Sequence, residues 1–383
     1  MSSDVGIGLI IALVWQVAMT IIGIFFALRS GSPSIGDAFV SHMNHWDAGW
    51  YQHVLTYAYS PQGSPAAPAF YPLFPALVGL VSFLSFGLID HMIAGLIINT
   101  AALWLATIAL IRILRHFTTL RSAIVLGVAL FLCFPAAFFM HVFYGEAIFV
   151  ALGLWAYLFA LQRRWWVVGA LLAVLSAARL PAVLFMALCA LEYLRTYSWK
   201  IRKALNPHAL WFLLAPLGFI LYGTYLAVVR QDFFAMFHAY AATNDWSYEV
   251  FSPNIFATIG GSISVIVGGV ASRQLNYDIF VNDFVPLVAL MALIVCSIYC
   301  FKLPKGRGVP LGIFGLLATI MFTLNGNTVS VHRYILPCVV IYVAAAAWHR
   351  RSWRSVILWG IALASLVLQL YLYMKFVSDV FAG

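Results

Sequence analysis

Long apolar runs broken by short polar segments recur along the whole chain. About 20 consecutive apolar residues are what an α-helix needs to cross a bilayer, so the pattern predicts an all-α polytopic membrane protein. The first run, 6–28, has no Lys or Arg before it and no small-residue cleavage site after it. It reads as a retained helix rather than a signal peptide. Further helices are expected at 89–112, 120–139, 146–162, 209–229, 283–301, 309–324, 334–348 and 355–376. Between 165 and 194 the chain must leave one face and return, with Arg179-Leu180-Pro181 in the middle. Proline breaks helices, so two short helices with Arg179 near their tip are predicted.

Basic residues cluster in the breaks: Arg112/Arg115/Arg121, Arg163/Arg164, Arg195/Lys200/Arg202/Lys203, Lys302/Lys305/Arg307 and Arg350/Arg351/Arg354. Placing these clusters on the cytoplasmic side gives about eleven transmembrane helices, with the C-terminus outside. Two apolar stretches, 71–87 and 254–272, would reverse that pattern if they crossed. They are read as helices lying in the outer interface. One membrane domain, 1–383, results, with large external segments at 29–88 and 230–282. These hold Asp37, Asp47, Asp232, Asp245, Glu249, Asp278 and Asp283.

Composition agrees with that picture. Hydrophobic residues make up 64% and charged residues 9%, and mean hydropathy is +0.98, too few charges to cover a soluble protein. The net charge of +9 sits in short loops, so it follows topology and no nucleic-acid partner is expected. Cys133, Cys189, Cys296, Cys300 and Cys338 lie in apolar segments and read as small core residues. No metalloprotease, CxxC, Walker or GxSxG pattern is present.

Candidate chemistry concentrates on the outer side. In His45-Trp46-Asp47-Ala48-Gly49-Trp50-Tyr51, the residues Trp46, Trp50, His53 and Tyr57 form one helical stripe suited to the headgroup level. Asp47 projects beside it with Tyr51, and an acid in such a segment is costly without a role. Asn44 and Asp47 also have capping-box spacing, so Asp47 is either a base or a helix cap. Glu146, in Phe143-Tyr144-Gly145-Glu146, starts a helix facing the same compartment. It reads as a site residue or as a carboxylate stabilised by the helix N-terminus. Arg179 suits an anion clamp or a structural carboxylate partner. Arg333, beside His332, breaks the positive-inside pattern; it reads as an anion ligand or as a side chain snorkelling to lipid phosphate. Asn325 and Asn327 read as turn residues. Asp245-Trp246 offers another acid beside an aromatic ring.

These blocks resemble a known family. His-Trp-Asp-Ala-Gly-Trp-Tyr, Ala-Phe-Tyr-Pro-Leu-Phe-Pro (69–75), Phe-Tyr-Gly-Glu-Ala-Ile-Phe (143–149) and Ala-Arg-Leu-Pro (178–181) follow in the order seen in PIG-V-like mannosyltransferases. His-Arg-Tyr-Ile-Leu-Pro (332–337) resembles a late segment common in the GT-C superfamily of integral-membrane glycosyltransferases. The chain departs from the family blocks at Gly145 and Pro181. The resemblance implies a GT-C fold with juxtamembrane helices at about 45–58 and 71–87. It also implies a polyprenyl-phosphate sugar donor, a sugar that is mannose by analogy, and a lipid or glycolipid acceptor. Asp47 matches the position of the catalytic acid. Arg333, His332 and Arg179 are then the cations available to the donor phosphate, and Glu146 would orient the acceptor or hold Arg179. Trp46, Trp50, Tyr51, Tyr71 and Tyr144 are the candidates for contacts with sugar or acceptor. The expected location is the plasma membrane of a prokaryote, with the site on the non-cytoplasmic face. No metal ligand set is assigned, and dependence on a divalent metal stays open. The readings from other classes are a lipid or solute transporter and a non-catalytic subunit of a glycosylation complex.

Overall fold

The computed structural model describes residues 2–240, 252, 254–349 and 352–383. Asp245, Trp246, Glu249, Arg350 and Arg351 lie outside the described residues. Every regular element among the described residues is helical. Five helices are long and apolar enough to cross a membrane: Val5–Arg29, His91–Phe117, Pro207–Arg230, Tyr277–Cys300 and Ser352–Val377. Seven shorter apolar helices of 10–17 residues accompany them. Large aliphatic and aromatic side chains such as Val14, Phe25, Val228 and Val295 face outward. That surface suits lipid and not water.

Prolines set where the helices break. The helix expected over 120–139 ends at Leu132, and after Pro135 the chain continues as a 3₁₀ turn, Ala137–Met140. The 209–229 helix starts as a 3₁₀ segment, Pro207–Leu214, and turns α-helical after Pro216. The 334–348 helix is two pieces, Val331–Ile335 and Val339–Trp348, because Pro337 supplies no amide donor. Helices Trp165–Ser176 and Ala182–Thr196 flank Arg179, as the position of Pro181 predicted. The two stretches read as interfacial are the helices Leu73–Leu84 and Ile255–Ala271.

Glu146–Leu161 is largely buried and packs along His91–Phe117. Close approach depends on glycine: a Cβ at Gly95 would lie 2.4 Å from the Phe143 ring. Beside it, the amide of Asn99 donates to the Val142 and Tyr144 carbonyls at 2.7 and 3.0 Å. These bonds tie the loop leading into Glu146 to the helix His91–Phe117. Leu73 N–H donates to the Ala177 carbonyl at 3.1 Å, so the start of Leu73–Leu84 is tied to the turn that carries Arg179.

Leu73–Leu84 has 12 residues. At 1.5 Å per residue that is about 18 Å, short of the roughly 30 Å hydrocarbon core. Single cysteines at Gln62 and His91, exposed positions on either side of it, should both react with an impermeant thiol reagent added outside. Labelling of one alone would show that this helix spans.

Candidate functional site

Four charged side chains from four distant segments meet at one end of the bundle. Asp47 is the first residue of the helix Asp47–Tyr57, Glu146 the first of Glu146–Leu161, Arg179 lies in the turn before Pro181, and Arg333 is in Val331–Ile335. One Glu146 oxygen, Oε1, accepts from both Arg179 Nη1 and Arg333 Nε. Arg333 Nη1 lies 2.7 Å from Asp47 Oδ2. Signs alternate along this chain, and the four formal charges cancel. The members differ in burial: 4% of the Glu146 and Arg333 side chains is exposed, against 16% for Arg179 and 29% for Asp47. Breaking a buried pair by removing one partner typically costs about 3–5 kcal/mol, so the inner members act as a structural knot. The Arg333 guanidinium also lies 4.7 Å from the centroids of the Phe139 and Tyr144 rings.

The sequence left Asp47 as base or cap, and the local geometry decides against the cap. Trp46 is the N-cap residue, with φ +54°, and no side chain caps the helix. Asn44 instead accepts from the Gln52 amide at 2.6 Å. The bridge across this turn comes from Tyr144, whose hydroxyl donates to the His45 carbonyl and accepts from the Asp47 N–H, both at 3.0 Å. A positive φ at a large residue persists only where the surroundings hold it, and Tyr144 is part of that hold.

A cavity of about 700 Å³ opens against this cluster. Trp46, Asp47, Trp50, Tyr51, Tyr71, Arg179 and Arg333 line it, which brings seven of the sequence candidates to one wall. Trp50 stacks on Phe70 at 5.4 Å, and Trp46 meets Phe381 edge-on at 5.3 Å. Three candidates have other places. His332 is fully buried, is not on the wall, and its Nε2–H donates to the Ala382 carbonyl at 3.1 Å. Glu146 is sealed behind the two arginines, which matches the reading in which it holds Arg179 and not the one in which it touches an acceptor. Tyr144 is buried and positions the Asp47 backbone.

Residues that the sequence did not mark as candidates also line the cavity, among them Phe70, Tyr240, Asn282, Ser330 and Phe381. Asn325, read as a turn residue, lines the cavity as well. Asn282 sits in a π-helical turn, Phe280–Phe284, a distortion that often marks functional sites. Arg230, also unmarked, donates to the carbonyls of Tyr59, Ser60 and Ser64 at 2.8–2.9 Å. With Tyr59 and Tyr222, whose hydroxyls donate to the Phe70 and Pro68 carbonyls, it holds the segment that ends in Phe70-Tyr71. An arginine at the end of an apolar helix was the available signal. The described residues contain no group of three or more His, Cys, Asp or Glu side chains able to hold a metal.

No protein-family model matches the chain, and no curated protein matches it. The case for function therefore rests on the blocks in the sequence and on this geometry.

Tyr144→Phe deletes the bridging hydroxyl alone. Leaving the His45 carbonyl and the Asp47 amide without that partner should cost about 1–2 kcal/mol. A lower thermal unfolding midpoint of the purified variant is the expected result. An unchanged midpoint would show that the bridge does not hold the turn.

Proposed function

We propose that this chain is an integral-membrane glycosyltransferase of the GT-C type, similar to the PIG-V-like mannosyltransferases. It would move a sugar, mannose by analogy, from a polyprenyl phosphate to a hydroxyl of a lipid or glycolipid acceptor. The observation that supports this best is a partly exposed carboxylate, Asp47, on the same cavity wall as two arginines whose positions are set from behind by Glu146. A base and cations on one wall suit a displacement in which a proton is taken at one atom while negative charge grows on a phosphate. The aromatic wall of Trp46, Trp50, Phe70 and Tyr71 offers flat apolar faces to a sugar ring.

In this reading the prenyl tail stays in the bilayer and the sugar enters the cavity from the non-cytoplasmic side. Asp47 takes the proton of the acceptor hydroxyl as its oxygen attacks the anomeric carbon. The bond from that carbon to the phosphate oxygen breaks with the electron pair going to phosphate, and configuration inverts. The leaving group gains one negative charge as Asp47 loses one, so the total charge near the arginines is unchanged. Arg179 and Arg333 stabilise the phosphate where that charge develops. The eleven-crossing topology and the plasma membrane of a prokaryote belong to the same proposal.

The test is transfer by the purified protein in nanodiscs, with a panel of polyprenyl-phosphate hexoses and mass spectrometry of the lipid products. One donor should yield a glycosylated lipid, and Asp47→Asn should lower turnover by about 10² or more while the protein stays folded. Asp47→Glu should also be slow, because a displaced carboxylate loses the attack geometry. Near wild-type turnover in Asp47→Asn removes the catalytic assignment. Absence of transfer from every donor removes the reaction class.

A further inference from the structure

Arg333 is held by two anions at once. Its Nε donates to Glu146, and its Nη1 lies 2.7 Å from Asp47. The two carboxylates differ in their freedom to leave. Glu146 is sealed, and moving it would strand the buried Arg333 guanidinium and take the carboxylate from Arg179. Asp47 stands on the cavity wall with 29% of its side chain exposed. Arg333 has little else to present to a ligand. Its Nη2 is buried with no partner among the described residues, and its Nε faces Glu146. Nη1 faces two residues of the cavity wall, Asp47 at 2.7 Å and the Gly383 carbonyl at 3.4 Å, so it is the nitrogen that an anion displacing Asp47 would take. Arg179 lines the same cavity with 16% of its side chain exposed, so it can receive the anion first.

We propose that Asp47 is latched to Arg333 in the resting protein, and that the phosphate of an arriving lipid donor takes its place on that guanidinium and frees the carboxylate. This regulation of the site rests on the glycosyltransferase reading above. No covalent bond changes in the exchange: one anion replaces another on the same cation. Its consequence is order. The carboxylate is free to meet an acceptor hydroxyl only once the leaving group is in position, so donor binds before acceptor. The inner pair, Arg333 with Glu146, stays intact throughout and keeps the guanidinium in place.

The test is equilibrium binding of a short-chain polyprenyl monophosphate to the full-length protein in nanodiscs, for wild type, Asp47→Asn, Arg333→Gln and the double variant. Loss of the competitor should make Asp47→Asn bind roughly tenfold tighter than wild type. With Arg333→Gln in place, that gain should fall below about twofold, because the competition acts through Arg333. A gain that survives in Arg333→Gln reflects charge repulsion alone and overturns the latch, as does equal affinity of wild type and Asp47→Asn. No binding to wild type removes the lipid-phosphate donor itself, and the latch with it; binding without competition removes the latch only. If Arg333→Gln does not fold, the structure of the wild-type protein with the same prenyl phosphate decides. Phosphate on Arg333 with Asp47 moved away supports the exchange, and Asp47 still bonded to Arg333 beside bound phosphate overturns it.

Discussion

One buried carboxylate, shared by two guanidiniums, determines the arrangement of this site. Glu146 sits at the start of its helix, where the backbone dipole already favours negative charge. It joins Arg179, 33 residues away, and Arg333, 187 residues away. In a low-dielectric interior none of the three can be removed without leaving an uncompensated charge. The turn at Arg179 and the short helix at Arg333 are therefore tied to the same point, and the cavity forms between them and the helix Asp47–Tyr57. Arg333 then passes the constraint outward to Asp47, the most exposed of the four.

The rest of the cavity is held by bonds to backbone. Asn99 fixes the loop before Glu146, Tyr144 spans the strained turn at Trp46, and Arg230 with two tyrosines holds the segment that ends in Phe70-Tyr71. Each is a side-chain donor to backbone carbonyls in the turns that border the cavity. The result is a nearly neutral cluster of opposed charges facing an aromatic wall.

Much of the helical layout was legible because hydrophobic runs and prolines act locally. The break at Arg179-Leu180-Pro181 is the clearest case: two short helices meet there, and proline fixes where the chain turns. The pairings among the charges were not legible, because they are long-range. His332 and Arg333 look equally cationic in sequence, yet neighbours on a helix point about 100° apart. One reaches the cavity and the other the backbone at Ala382. Asn44 and Asp47 have the spacing of a capping pair, but Gln52 and Tyr144, the latter nearly a hundred residues on, take up their groups. Asn325 was passed over because turn propensity says nothing about what a turn faces.

The shared carboxylate is tested most directly by a double-variant cycle on Glu146 and Arg333, read as the thermal unfolding midpoint of the purified protein. If they form the inner pair of the knot, Glu146→Gln and Arg333→Gln should each lower the midpoint sharply. The combined variant should then lose clearly less than the two losses added together, with a coupling of about 1–3 kcal/mol. Losses that simply add would mean that the two side chains do not depend on each other, and would contradict Glu146 as the point on which the site is built.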